Sequence, residues 1–214
     1  QFISEKETCF EAKVRGWLHF SNLSPIKYDI MGPFCFVPFM ECRHSVFSMM
    51  HRVDGLLLIN GKEYSFENAY GYWEGDRGHS FPKEYAWTQC FIEEKDALQG
   101  SLMLSVADIP LAGFHFTGII GIVYWKGKEY RFATYLGARV VHKDKQRILI
   151  RQGDMELEAR LLEQQAHPLQ APLGGSMKRM IRENVRCKAV YRFRIKGKTI
   201  FIYETENASF EYEY

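Results

Sequence analysis

Apolar and polar residues alternate with a period of two along much of this chain. Between Met155 and Leu161, the residues Met155, Leu157, Ala159 and Leu161 alternate with Glu156, Glu158 and Arg160. Between Cys187 and Ile195, Ala189, Tyr191, Phe193 and Ile195 fall on one side, and Lys188, Arg192 and Arg194 on the other. Successive strand side chains point to opposite faces, so the pattern predicts strands with one dry and one wet face. Four turn signals separate such runs: Asn60-Gly61-Lys62, Lys126-Gly127-Lys128, Lys143-Asp144-Lys145 and Lys196-Gly197-Lys198. Each supplies the tight reversal of a hairpin. About a dozen strands follow, joined mostly as sequence neighbours, and the prediction is an all-β meander closing into one or two antiparallel barrels. One stretch departs from this. After a Gly174-Gly175 loop, Ser176 can cap a short helix over 176–184, with Met177, Met180 and Ile181 as its apolar stripe.

Composition narrows the partners. Of 214 residues, 15% are aromatic, including 16 Phe and 12 Tyr, a profile of strands and enclosed spaces. A large enough barrel leaves a cavity, and aromatic walls favour flat apolar ligands. A filled core reads identically. The net charge of +2 gives no reason to expect nucleic acid as a partner. No apolar run approaches the ~18 residues of a membrane span. The five cysteines (Cys9, Cys35, Cys42, Cys90, Cys187) form no metal-binding spacing, so no metal or cofactor is expected. Free thiols of this kind suit a reducing compartment, and a cytoplasmic setting is the expectation. Serine-hydrolase elbows, P-loops and dinucleotide fingerprints are absent from the sequence.

The densest chemistry lies at residues 70–91, where glycines, a proline and polar groups interrupt strand formers. From Lys83 the strand pattern resumes, with Tyr85, Trp87, Gln89 and Phe91 on one face and Glu84, Ala86, Thr88 and Cys90 on the other. Gln89 within an aromatic row suits either ligand orientation or a core amide satisfied by backbone.

This stretch resembles the signature of the tocopherol cyclase family. The resemblance rests on Glu74, Gly78, Phe81-Pro82, Lys83, Tyr85, Trp87 and Gln89-Cys90, in that order. Leu157 to Arg160, Pro168 to Pro172 and the closing residues Ala208 to Tyr214 extend it, so it covers roughly residues 10 to 214. It implies a lipocalin-like fold, doubled or with one partial barrel, divided here into halves at residues 1–100 and 101–214. It also implies an aromatic-rich N-terminal stretch, not present in this sequence, whose first residue Gln1 is no initiator.

The activity so implied is closure of a chromanol ring on a prenylated phenol or quinol. An acid protonates the alkene, and the phenol oxygen captures the tertiary cation. That chemistry needs a carboxyl held neutral by burial, aromatic faces beside a cation, and a base for the phenolic proton. By the resemblance Glu74 is the first candidate acid, followed by Asp76 and His79. Asp76 replaces an asparagine of the plant members, and Arg77 and His79 replace an aromatic and a glycine, which leaves the choice of acid open. Trp73, Arg77, Phe81, Tyr85, Trp87 and Gln89 are the candidate ligand-binding residues. Each also has a plain reading as core, loop or ion pair. The rival functions are a lipocalin-like carrier of an apolar isoprenoid or lipid, and a hydratase-like enzyme adding water to an isoprenoid double bond.

Two weaker features remain. Met31 to His44 is an apolar stretch with Pro33 and Pro38 that forbids a regular central strand and suits a flap, with Glu41 and Arg43 placed for a salt bridge or a site. Lys178 to Lys198 holds nine basic residues against the single acid Glu183, which suits an outer barrel face or a peripheral contact with an anionic membrane.

Overall fold

The computed structural model describes residues 12–38, 40–111, 113–163 and 166–213; Cys9, Phe39 and Tyr214 lie outside them. Two sheets account for the strands. β1 (Val14–Ser21), β2 (Cys42–Ile59) and β3 (Lys62–Gly78) form one, in that order. The second contains β4 (Tyr85–Glu94), β5 (Ala97–Leu111), β6 (Phe114–Trp125), β7 (Lys128–Ala133), β8 (Arg139–Lys143), β9 (Arg147–Gln152), β10 (Met155–Leu161), β11 (His167–Leu173), β12 (Ser176–Ile195) and β13 (Lys198–Glu213). Its order is β7-β6-β5-β4-β13-β12-β10-β9-β8, with β11 paired to β12. The ladders are antiparallel.

The four turn signals fall between strands as expected. Asn60 and Gly61 have φ of 51° and 83°, the pair of positive values that a two-residue hairpin turn requires. The period-two runs are β10 and the second half of β12. Leu157, Ala159, Tyr191 and Phe193 are fully buried and belong to one core.

The chain divides into two compact units. One runs through Ile26 and resumes over Val46–Glu74; the other comprises Lys27–Ser45 and Gly75–Tyr214. Residue 100 falls inside β5, so halves at 1–100 and 101–214 do not coincide with these units.

In the first unit, β1 lies along β2 with Trp17 opposite Leu56 and Phe20 opposite Val53. Large apolar side chains stay substantially exposed on this sheet, among them Trp17, Phe47 and Trp73.

In the second unit the large sheet curls around one core, drawn from β4 to β7, β9, β10, β12 and β13. Gln152 helps join its ends: the amide of this β9 residue donates to the Arg131 carbonyl and accepts from the Ala133 N–H of β7, both at 3.0 Å. The interior is filled rather than hollow. Leu102, Leu104, Phe132, Tyr191, Phe193 and Phe210 have no exposed surface, and Phe193 meets Tyr130, Phe132 and Phe201 at ring separations of 5.1–6.1 Å. Among the described residues, these aromatic side chains pack against one another. Aromatic richness has gone into packing, which composition cannot distinguish from a cavity wall.

The expected helix at 176–184 is also overturned. Those residues begin β12, and Gly174-Gly175 is the turn of the β11–β12 hairpin. Of the proposed stripe, Ile181 is buried whereas Met177 and Met180 are about half exposed. A few apolar residues at mixed spacing fit a short helix or a strand, and pairing with β11 along the run, joined by β13 at Glu183 and Asn184, decides for strand.

Three residues of the basic run are paired within the sheet. Arg192 and Arg194 face Glu158 and Glu156 of β10 at 3.6 and 3.3 Å, and Lys188 meets Glu204 at 3.2 Å. Arg43 spends its guanidinium on the carbonyls of Cys35 and Val37, at 2.7 and 2.8 Å, which holds the turn at Gly32–Phe36 in place.

Candidate functional site

β4 carries two buried faces, and this is what places the site. Ala86, Cys90 and Ile92 point into the core of the second unit, and Thr88 shares a 2.5 Å hydrogen bond there with the buried Tyr191 hydroxyl. Tyr85, Trp87 and Gln89 point the other way. In the β4–β13 register they lie opposite Glu213, Glu211 and Ser209. Paired residues of an antiparallel ladder share a face, so Glu211 stands among Tyr85, Trp87 and Gln89, away from the packed interior.

The Tyr85 hydroxyl donates a short hydrogen bond to Oε1 of Glu211. Burial is the main cause that pushes the Glu211 carboxyl up, to about 7. The Tyr85 hydrogen bond opposes this, while the negative charges of Glu183, Asp76 and Glu213 add to it. Tyr85 itself is buried, and its hydroxyl is held far above the ordinary phenol range by burial first and Glu211 second. The pair therefore offers a carboxyl that keeps a substantial protonated fraction near neutrality, next to a phenol that does not ionise.

Asp76 approaches from β3. Its Oδ1 lies 2.8 Å from Nδ1 of His44 and 3.5 Å from Sγ of Cys42. Burial, helped by the Asp76 charge, raises the Cys42 thiol to about 12, so it stays protonated. Beside it, Met40, Glu41, Cys42, Pro82, Ile109 and Pro110 line a recess of about 20 Å³, room for a water molecule but not for a prenylated ring.

The remaining candidates are dispersed. Glu74 accepts a 2.6 Å hydrogen bond from the Tyr72 hydroxyl in the first unit. There too, Trp73 packs between Phe20 and Phe47, with ring separations of 5.9 and 5.0 Å. Arg77 is exposed. His79 is exposed as well; its ring contacts Ser80 at 3.3 Å, and its backbone bridges Glu41 and Gly175. Phe81 meets Tyr85 edge-on at 6.2 Å. Trp87 Nε1 and Gln89 Nε2 are buried without a hydrogen-bond partner among the described residues. The residues brought together are thus Tyr85, Trp87, Gln89 and Phe81, with Asp76 near enough to act on Glu211 electrostatically.

Glu211 was not among the sequence candidates. In the run Phe210-Glu-Tyr-Glu213 it reads as an ordinary solvent-facing strand position. Its one distinguishing property is the pairing with β4, more than a hundred residues earlier, and local pattern carries no such information.

Comparison with known proteins adds the following. A sequence profile described as tocopherol cyclase-like matches residues 3–143, about two thirds of the chain. That segment includes Tyr85 and ends before Glu211. No curated protein matches the chain. The crystal structure of kievitone hydratase from Nectria haematococca superposes with a TM-score of 0.48 and 10% sequence identity, over 81% of this chain and 53% of the other. The chain spans about half the length of that protein.

Proposed function

The chain belongs to the tocopherol cyclase-like family, and from that membership we propose that it closes a chromanol-type ring on a prenylated phenol or quinol, with Glu211 as the proton donor. The observation that carries this reading is the placing of the Glu211 carboxyl opposite Trp87 and in a hydrogen bond with Tyr85, where burial and neighbouring negative charge push it up to about 7.

The chemistry balances on that one group. Protonated Glu211 accepts the Tyr85 hydrogen bond at Oε1, which leaves Oε2 to carry the proton. Transfer of that proton to the alkene makes a C–H bond and a tertiary cation. The phenol oxygen then forms the C–O bond, and its own proton returns to the Glu211 carboxylate. The substrate is isomerised and the acid is restored. Tyr85 steadies the carboxylate while it exists, since a hydrogen bond to the charged form favours it. Trp87, directly opposite Glu211 in the register, supplies an aromatic face beside the cation.

In this reading Asp76 does not donate the proton. Its charge adds to the effect of burial in keeping Glu211 protonated, and it is itself anchored by His44. Glu74, the first choice by sequence resemblance, accepts its 2.6 Å hydrogen bond from the Tyr72 hydroxyl in the first unit.

The experiment is product analysis. Purified protein is incubated with a hydroquinone bearing an unsaturated isoprenoid tail, and the products are separated by chromatography with mass detection. A chromanol of unchanged mass, formed by the unsubstituted chain and lost in Glu211→Gln, supports the reading. A product heavier by one water assigns hydration instead, and binding with no conversion by either protein assigns a carrier.

A further inference from the structure

We propose that Arg179 is a positioning residue that holds Tyr85 against Glu211 by clamping the turn that leads into β4. Its importance for turnover rests on the function proposed above, but its geometry stands alone.

Arg179 lies on β12, with β13 between it and β4. Its side chain reaches across that gap. Nη1 donates to the Pro82 carbonyl at 2.7 Å and Nη2 to the Lys83 carbonyl at 2.5 Å. Nη2 also lies 3.8 Å from Oε2 of Glu213, the residue opposite Tyr85 in the ladder. The guanidinium sits 6.0 Å from the centre of the Tyr85 ring. Two successive carbonyls held by one planar fork fix both the height and the rotation of the chain entering Tyr85, which a single point charge cannot do.

The same hairpin grips the preceding residues. The Gly175 N–H donates to the His79 carbonyl at 2.8 Å, the Gly174 N–H to Ser80 Oγ at 2.9 Å, and the Phe81 N–H to the Pro172 carbonyl at 3.3 Å. Five hydrogen bonds thus run between the β11–β12 hairpin and the His79–Lys83 segment. Without these bonds the irregular His79–Lys83 segment, which belongs to no strand, would leave the Tyr85 hydroxyl freer to part from Glu211. These bonds fix the segment that feeds β4, and they add to the ladder pairing of Tyr85 with Glu213 and Ala107.

The test is a titration that needs no substrate. Protein labelled with carbon-13 at glutamate side chains is titrated by NMR, and the Glu211 resonance is assigned by its loss in Glu211→Gln. Arg179→Lys keeps the charge and removes the fork. It is expected to raise the Glu211 midpoint by about half a unit or more, because the Tyr85 hydrogen bond that favours the carboxylate is weakened. In a Tyr85→Phe background, where that bond is already gone, Arg179→Lys is expected to add no further shift. Arg179→Gln, run through the same comparison, covers the case in which the lysine variant folds poorly. An equal shift in both backgrounds, or none in either, overturns the clamp. A Glu211 that titrates in the ordinary carboxylate range in the unsubstituted protein contradicts the cyclase reading instead, and the Arg179 comparison is still read in the same way.

Discussion

Tyr85 on β4 and Glu211 on β13 are joined by a short hydrogen bond across one ladder, although 126 residues separate them in sequence. A carboxyl in that position is defined by its neighbours rather than by its exposure alone. Three negative groups and the loss of water disfavour its charge, and one phenol partly restores it.

Glu211→Gln is expected to reduce cyclisation by about a hundredfold or more, the usual contribution of a general acid. Glu74→Gln is expected to retain most of the rate. The pair is measured by initial rates on the same hydroquinone, and the reverse order of effects would return the acid to the residue that sequence resemblance favoured.

Stability should depend on pH through the same carboxyl. Its folded value of about 7 lies above the ordinary 4.5, so between those values the folded chain binds more protons than the unfolded one. Its contribution is complete below 4.5 and is lost as pH rises through 7. The loss is on the order of 3 kcal/mol at most. Urea unfolding of the unsubstituted chain should show it, and Glu211→Gln should flatten the curve over that window.

Phe193→Ala should cost about 3–5 kcal/mol, because it opens a cavity where four aromatic rings meet. Tyr191→Phe should cost about 1 kcal/mol for the hydrogen bond to Thr88. Denaturant midpoints would check both. A near-zero cost for Phe193→Ala would mean that the second unit is not packed as described.

Gly78→Ala tests the approach of β3 to Glu41. A methyl group there would lie 2.0 Å from the Glu41 carbonyl oxygen, which also accepts the His79 N–H at 2.9 Å. The chain must shift, and the His44–Asp76 contact should loosen with it. A lowered melting temperature, with a lower Glu211 midpoint as Asp76 moves away, is the expected result.

Much of the architecture was legible in the chain. Alternation at Met155–Leu161 and the four short turns identified real strands and hairpins, because one-sided burial writes itself into every second residue. Ser176–Asn184 misled because Met177, Met180 and Ile181 suit two periods, and the hairpin with β11 settled the matter. The candidate site was half legible. Tyr85, Trp87 and Gln89 do share a face, but sequence gave no sign that the opposite face of β4 fills the core. Glu211 became visible only through its partner strand.

In the proposed reaction Glu211 supplies the proton while neutral. The most direct measurement is the pH dependence of single-turnover cyclisation. The rate should be high in acid and fall with a midpoint near 7, and that midpoint should vanish in Glu211→Gln. A rate that stays level through 7, or a glutamine variant that turns over as fast as the unsubstituted chain, would contradict it.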